Sequence, residues 1–357
     1  MFQISSVLPL RPVALIDEIH VERYAQVLSD SGLRLVLAER VSDRAHGGVG
    51  ELGPFEADGQ KAKEGIERTR ELHRNWHGAA GGRVTISISA HAPDMCSPQL
   101  LRELREIQDR WGVIATIHLN QFWGEVAALK QTRGLLPTHY LSKHGFLHPR
   151  LIAAHCRCLT TEEIESLGKA KVFICFNSAI AARRGLTCPV RDLESAGCMI
   201  ALGSDNMSED MVEVMRTALF MERVRLGDGR FPMPEDTLRW ATINGYRALG
   251  IEKAGALKEG YKADLIMINL RRPHLVPNVS PLSSFVHNGQ AGDVEAVMVD
   301  GRWLMRDQRV MTMDEETIIY GADQVGRRAW REESPNWTAS VNSNFDFHGI
   351  RRKVSKV

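Results

Sequence analysis

The sequence predicts an α/β fold, a TIM-type (β/α)8 barrel with a small β appendage after it, and three observations predict it. Apolar, strand-sized runs alternate with helix-sized stretches over about 250 residues, the length such a barrel needs. Three of these runs end on residues able to ligate a metal or move a proton: Ile117-His118-Leu119-Asn120-Gln121, Ala154-His155-Cys156 and Gly203-Ser204-Asp205-Asn206. Polar residues at the ends of several strands converge only if the sheet closes, and no Gly-x-Gly-x-x-Gly follows an early strand, which argues against an open dinucleotide-binding sheet.

The elements follow in order. Phe2 to Leu8 is a short β-like run, and Val21 to Ser31 reads as a helix with Tyr24, Val27 and Leu28 on one face. Leu33 to Ala38 reads as a strand, and the Gly-rich stretch His46 to Gly53 as a loop at the barrel mouth. Gly59 to His77 is a polar-faced helix. Arg83 to Ala90 is one β-branched strand running into His91-Ala92-Pro93-Asp94. Ser97-Pro98 opens a helix, with Ser at the N-cap and Pro at the first helical position. Val113 to Ile117 delivers His118, and Leu151 to Ala154 delivers His155. Thr160 followed by Glu163 is a capping box for the next helix. Val172 to Phe176 is a strand ending at Asn177-Ser178, and Met199 to Leu202 delivers Asp205. Glu209 to Val224 and Pro234 to Leu249 are helices. Gly255 to Ile268 reads as a pair of short strands, and Val294 to Val299, Asp300-Gly301 and Arg302 to Met305 as a hairpin with an Asp-Gly turn. Asp314 to Arg331 is a closing helix, and the tail from Ser334 reads as irregular. The resulting division is 1–252 barrel, 253–312 β appendage, 313–357 closing helix and tail.

Composition narrows the function. With 43% hydrophobic and 25% charged residues the chain has material for a large core. Lys plus Arg is 45 against Asp plus Glu 44, so no global field points to nucleic acid or a membrane surface. The basic end, Arg351 to Val357, reads as solvated. No run of about 18 apolar residues is present, and the start lacks a charged n-region. The six cysteines form no Cys-x-x-Cys pair and sit in apolar runs, as buried thiols of a reducing, cytoplasmic setting do. A lone His at a strand end is usually a hydrogen-bonded core residue. Asp205 at the mouth of an apolar strand is harder to dismiss, since a buried carboxylate needs a metal, a cation or backbone donors.

The segments His91-Ala92-Pro93-Asp94-Met95-Cys96-Ser97-Pro98, His118-Leu119-Asn120-Gln121, His155-Cys156 and Gly203-Ser204-Asp205-Asn206 belong together with Gly255-x-Leu257-x-x-Gly260-x-x-Ala263-Asp264-Leu265 and Val299-Asp300-Gly301-Arg302. On them the chain resembles the amidohydrolase superfamily over roughly residues 1 to 330, in particular the branch of cytosine, guanine and thioadenosine/S-adenosylhomocysteine deaminases and triazine chlorohydrolases. The resemblance implies that the appendage is a β-sandwich. It implies a metal-dependent hydrolase of non-peptide C–N bonds that deaminates a heterocyclic, nucleobase- or triazine-like small molecule. His118 and Asp205 would ligate one divalent metal, zinc with iron or manganese as alternatives, that turns water into hydroxide near neutrality. His155 would hydrogen-bond the hydroxide or the substrate, and Asp205 would also accept the water proton. His91, Asp94, Trp123 and Asn206 would face the substrate. Trp123 stacks on a planar ring in that reading and is a packed aromatic in the plainer one, and the pair Arg183-Arg184 either meets an anionic group or is solvated.

The chain departs from the family pattern twice. No His-x-His occurs anywhere, so the barrel reads as N-terminally incomplete, lacking the family's first strand; His118 and Asp205 alone are too few, since catalytic zinc takes about three protein ligands. Recruitment of His155 to the metal would reach three; otherwise the metal is absent. Gln121 stands where the family has a Glu that shuttles a proton, and an amide cannot do so, a loss of about 10²–10⁴ in rate. Asp94 or Glu125 would substitute, Asp94 being the better placed. The alternative, from a different class, is a catalytically inactive or split relative that binds a ligand or a partner chain. The partners expected are a small heterocycle and either a second copy or a chain supplying the missing strand; nucleic acid and membrane are not expected.

Overall fold

The computed structural model describes residues 13–206 and 209–341. Eight strands make one curled, all-parallel sheet: β1 (Val13–Glu18), β2 (Arg34–Val41), β3 (Val84–Ile86), β4 (Ile88–Ala90), β5 (Ala115–Leu119), β6 (Leu151–His155), β7 (Phe173–Phe176) and β8 (Met199–Leu202). The order is β1-β2-β4-β5-β6-β7-β8, with β3 beside β2. Strands in a parallel sheet under helices are covered on both faces, which is why they read as continuous apolar runs. Every residue of β2, β5 and β6 is buried, polar ones included. The core has an outer layer between strands and helices (Leu35, Leu37, Ile86, Ile117, Phe176, Trp240) and an inner one (Leu15, Val36, Ile152, Cys175, Ala201). Among the described residues β1 and β8 each pair on one side only.

The helix starts follow the sequence signals. The Asp58 carboxylate accepts from the N–H groups of Gln60 and Lys61 at the head of Gly59–Trp76. Ser97 Oγ accepts from Leu100 N ahead of Pro98–Trp111, and Thr160 with Glu163 forms the expected capping box before Thr161–Lys169. Each cap satisfies backbone donors that the first turn leaves orphaned. No helix of the described residues is long and apolar enough to cross a membrane.

A second sheet, antiparallel, runs β12-β11-β10-β9, from β9 (Leu265–Ile268), β10 (Val294–Val299), β11 (Arg302–Arg306) and β12 (Arg309–Val310). The Asp300-Gly301 turn has φ of 52° and 77°, the left-handed pair that a two-residue hairpin demands. A bidentate ion pair joins this sheet to the barrel: Arg34 Nε and Nη2 lie 2.7 and 2.9 Å from the Asp264 carboxylate.

Several elements differ from the sequence reading. The run 83–90 is two short strands, because at buried Ser87 the chain passes from pairing with β2 alone to lying between β2 and β5. Pro234 to Leu249 is broken into Pro234–Ala241 and Ile243–Ala248 at Thr242, whose φ and ψ of −126° and −92° are not helical. Asn244 Nδ2 bonds the Ile200 carbonyl at 2.7 Å, so the second segment is anchored across the barrel bottom instead of continuing the first. Only β9 forms within Gly255 to Ile268; its partner is β10, and residues 253–264 are turns with left-handed Lys253, Gly255 and Gly260. The closing helix runs Glu315–Val341, past Ser334 where irregular chain was expected. β1 was not anticipated: the sequence reading assigns no element to residues 13–18, yet Asp17 and Glu18 are buried and paired. The expected strand Phe2 to Leu8 and the basic end Arg351 to Val357 lie outside the described residues.

Candidate active site at the strand ends

Parallel strands place their C-terminal ends at one mouth, and the register decides which side chains meet there. β5 and β6 pair with Leu119 opposite His155 and His118 opposite Ala154, so the two imidazoles come from adjacent strands, one step apart. Their ring centroids are 5.4 Å apart and the planes 28° from parallel. Asp205 follows β8, and its Oδ2 is 3.8 Å from His155 Nδ1. His118, His155 and Asp205 are each about 1–2% exposed. The three residues that the strand-end signals named are therefore brought together.

Their orientation is fixed by neighbours. His118 Nδ1 lies 2.8 Å from the His91 carbonyl oxygen, so this nitrogen donates. The His91 ring meets His118 edge-on at 5.7 Å. Asp205 Oδ1 accepts from Asn206 N at 2.6 Å. Asn177 Nδ2, at the end of β7, sits 3.3 Å from His155 Nδ1 and 3.4 Å from Asp205 Oδ2 and bridges them. Asn177 is in turn held through its Oδ1 by the Cys175 thiol at 3.2 Å. Among the described residues His155 Nε2 is buried with no hydrogen-bond partner, as is Asn206 Oδ1.

The electrostatics keep the imidazoles neutral. Burial pushes His155 well below the ordinary histidine value of 6.5, helped by Arg157 and His118. Burial does the same to His91, followed by His118 and Arg40. For His118 burial also leads, with the His91 carbonyl opposing it. A neutral imidazole keeps one lone pair for a metal, a proton or a substrate N–H.

Beside Gln121 sits a pair of acids. Glu125 is fully buried and accepts from the Asn120 and Gln121 N–H groups, both at 2.9 Å. Burial, and then the nearby Asp94, raise its carboxyl well above the usual range. Asp94 is pushed up to about 6 by burial, against the Gly50 N–H at 2.6 Å and Arg44 at 3.9 Å. Of the two expected stand-ins for a shuttling Glu, the Glu125 carboxylate is engaged by backbone donors, whereas Asp94 Oδ1 is buried without a partner among the described residues. The Gly-rich loop folds over this pair: a side chain at Gly50 would run into the Phe122 ring. Phe122, not Trp123, lies under that loop, and Trp123 opens the helix Trp123–Arg133 half-buried. Arg183 and Arg184 are exposed.

The metal expectation meets a limit here. His118, His155 and Asp205 are donors of the right chemistry, and the orphaned His155 Nε2 is a ligand atom without a ligand. Yet among the described residues no group of three or more His, Cys, Asp or Glu side chains is gathered so as to hold a metal ion. These residues alone do not fit a metal centre. All six cysteines are free and buried, and Cys156 and Cys158 are no exception; burial raises both thiols far from the thiolate.

Three residues of this mouth escaped the sequence reading. Asn177 carried the same signal as the histidines, a polar residue ending an apolar strand. Arg157 was hidden between two cysteines. Asp17, which accepts from Ser89 Oγ at 2.7 Å inside the barrel, lay in an unrecognised strand.

Comparison with known proteins bears on the family and the fold. The model of the amidohydrolase family matches residues 12–304. A 5-methylthioadenosine/S-adenosylhomocysteine deaminase of Desulfitobacterium hafniense is 34% identical over 300 residues, covering 82% of this chain and 66% of that protein. One of Moorella thermoacetica is 35% identical, covering 84% and 68%. A 5'-deoxyadenosine deaminase of Methanothermobacter thermautotrophicus is 32% identical, also covering 84% and 68%. The chain thus spans about two thirds of the length of these relatives. Among solved structures, a zinc-bound adenosine deaminase from Xanthomonas campestris superposes with a TM-score of 0.80 at 23% identity, covering 89% of this chain and 71% of that one. The zinc complex of atrazine chlorohydrolase from Arthrobacter aurescens superposes with a TM-score of 0.76 at 20% identity, covering 87% and 72%. At these identities both show the fold, a (β/α)8-type barrel.

Proposed function

We propose, from the premise that this chain belongs to the amidohydrolase family, that it hydrolytically deaminates a nucleoside-like heterocycle at the mouth built by β5, β6 and β8. The observation that carries the reading is the convergence of His118, His155 and Asp205 at the ends of β5, β6 and β8, with His155 and Asp205 bridged by Asn177 from the end of β7. The names of the relatives, deaminases of 5-methylthioadenosine, S-adenosylhomocysteine and 5'-deoxyadenosine, support an adenine-type ring as the heterocycle. In this reading residues 1–252 carry the chemistry in a cytoplasmic enzyme, and His91, Asp94, Trp123 and Asn206 face the ring.

Each residue has a part that its surroundings permit. Asp205 accepts the proton of the attacking water, since among the described residues its Oδ2 has only the long contacts to Asn177 and His155. Neutral His155 orients the water or the leaving amine through the nitrogen that faces no protein partner. Asp94, half-protonated near pH 6, gives a proton to the ring nitrogen that Gln121 cannot serve. A divalent metal such as the zinc named for the Xanthomonas structure would acidify that water. Here the described donors fall short of holding one, so further ligands would have to come from residues or a chain outside those described.

The test is ammonia release from 5-methylthioadenosine and adenosine by the purified protein, beside elemental analysis of the wild type and His118→Ala. Release that His118→Ala and Asp205→Asn abolish supports the reading. One observation pair, Gln121 and the unfilled donor set, favours a second reading, a relative that binds without turnover. Tight nucleoside binding with no ammonia at any metal concentration would decide for it.

A further inference from the structure

Arg157 is a buried cation that forms no ion pair among the described residues. It is 8% exposed, and its Nε and Nη1 have no hydrogen-bond partner among the described residues. The chain goes to some length to place it. His155 and Cys156 take left-handed φ of 79° and 48°, and the N–H groups of Arg157 and Cys158 both bond the Asn120 carbonyl, at 3.0 and 2.9 Å. The side chain is thereby set on the loop after β6, two residues from His155.

Its charge is felt across the mouth. It acts on His155 and His118, and Asp205 acts back on it. Asp205 is engaged by Asn206 and Asn177, and no ion pair between Asp205 and Arg157 forms. The neighbouring thiols offer no negative charge, since burial raises Cys158 to about 12 and Cys188 well above the ordinary thiol value. Two other charged groups feel it: buried Glu125, whose carboxyl burial raises toward the neutral form, and a second cation, Arg184, exposed at the C-cap of the short helix Ser178–Arg183 after β7, which is the largest charged influence on Arg157 and also acts on His155. Two guanidinium groups on adjacent barrel loops repel each other, and one of them is desolvated. A guanidinium stays charged in a protein, so the arrangement is at a disadvantage until an anion joins it.

We propose that Arg157 and Arg184 form a subsite for an anionic group, a phosphate or carboxylate carried by the heterocyclic molecule whose ring lies against His155 and Asp205. That the anion belongs to a substrate rests on the deaminase reading; that an anion binds there does not. The planar fork of a guanidinium pairs two oxygens of either group at once, and Arg157 is already desolvated and held in place. The more exposed Arg184 closes on the anion from the rim.

The test is calorimetric titration of wild type, Arg157→Leu and Arg184→Ala with adenosine, adenosine 5'-monophosphate and adenosine 5'-carboxylate, with thermal melts in inorganic phosphate. The wild type is expected to bind one charged nucleoside at least 10-fold tighter than adenosine, and the tighter of the two identifies the group. Arg157→Leu removes that preference, so that charged nucleosides bind no tighter than adenosine to the same variant, while Arg184→Ala reduces it less. Arg157→Leu also melts no lower than wild type, because it removes an unpaired buried charge; a merely structural arginine would lower the melting temperature. If phosphate stabilises the wild type but not Arg157→Leu, and no nucleoside binds, the anion subsite stands and the deaminase reading falls. Ammonia release from adenosine with equal affinity for charged and uncharged nucleosides would leave the deaminase reading in place and overturn the subsite. Retention of the preference in Arg157→Leu would overturn it as well.

Discussion

Replacing Arg34 by Met tests how the barrel is joined to the second sheet. Arg34 Nε and Nη2 hold the Asp264 carboxylate at 2.7 and 2.9 Å, and Nη2 also reaches Asp300 Oδ1 at 3.1 Å. The side chains of Arg34 and Asp264 are 3% and 0% exposed. Met matches the length of the aliphatic stem, so the change removes the charge with little loss of packing. It leaves Asp264 buried with two donors, Tyr246 Oη at 2.9 Å and Asp300 N at 2.8 Å. Breaking a buried pair by removing one partner costs about 3–5 kcal/mol, and the two surviving hydrogen bonds put the expected cost at the lower end, about 3. With a urea slope of about 3 kcal/mol per M, the midpoint falls by about 1 M. The pH dependence has a sign. Burial alone would raise the Asp264 carboxyl, but Arg34, Asp300 N and Tyr246 together hold it below the ordinary 3.8. A depressed carboxyl adds stability that is present above 3.8 and is lost as pH falls below it. The gap between wild type and Arg34→Met therefore closes in acid. Adding Asp264→Asn to Arg34→Met should recover part of the loss by removing the orphaned charge. A midpoint shift under about 0.3 M at pH 7, or a gap that widens in acid, would refute the reasoning.

Three other outcomes are expected. Gln121→Glu restores a carboxyl where a proton must reach the ring and should raise the ammonia-release rate by about 10²–10⁴; an unchanged rate assigns the proton to Asp94. Glu163→Ala removes the acceptor shared by Asn120 Nδ2, Thr138 N and Thr160 N, at 3.1, 3.2 and 3.1 Å, and should cost about 2–3 kcal/mol in urea melts, since buried donors are left unpaired. Asp17 is raised to about 6, first by burial and against Arg40. The native state holds its proton longer than the unfolded chain does, so this residue makes stability fall as pH rises from 3.8 to about 6. Asp17→Asn should flatten that segment of the stability–pH curve, and a slope that persists would assign it elsewhere.

What was legible in the sequence was whatever depends on local pattern. The buried strands announced themselves because both faces are covered, so apolar runs are unbroken. Caps at Ser97 and Thr160 were visible because the capping groups are neighbours in the chain. His118, His155 and Asp205 stood out because a polar residue is conspicuous after such a run. The illegible parts depend on partners distant in sequence. β1 went unassigned because nothing near Asp17 and Glu18 reveals Ser89 and Arg40, their partners from other strands. Thr242 breaks a helix that its own propensity does not break, since Asn244 is drawn to the Ile200 carbonyl. Arg157 was unreadable because only the fold buries it without an ion-pair partner among the described residues.

One property of the mouth follows from the backbone alone. β5, β6 and β8 each run into a non-glycine residue in the left-handed region: Asn120 at 48°, His155 and Cys156 at 79° and 48°, and Asp205 at 57°. Such residues cost about 1–3 kcal/mol each and persist only where the surroundings over-determine them. Here they do. Cys156 N bonds the Leu119 carbonyl at 2.9 Å, Arg157 and Cys158 bond the Asn120 carbonyl, and Gly203 N bonds the Phe176 carbonyl at 3.2 Å, so each strand end is clamped to its neighbour. Asn120 adds its side chain to Cys158 O at 2.7 Å and to Glu163. Strain held in this way is a reason to expect chemistry or tight binding there, because a merely structural strand end could relax by taking glycine. The donor pair at β6 and β8 is thus held by its own backbone, in the way a preorganised site requires.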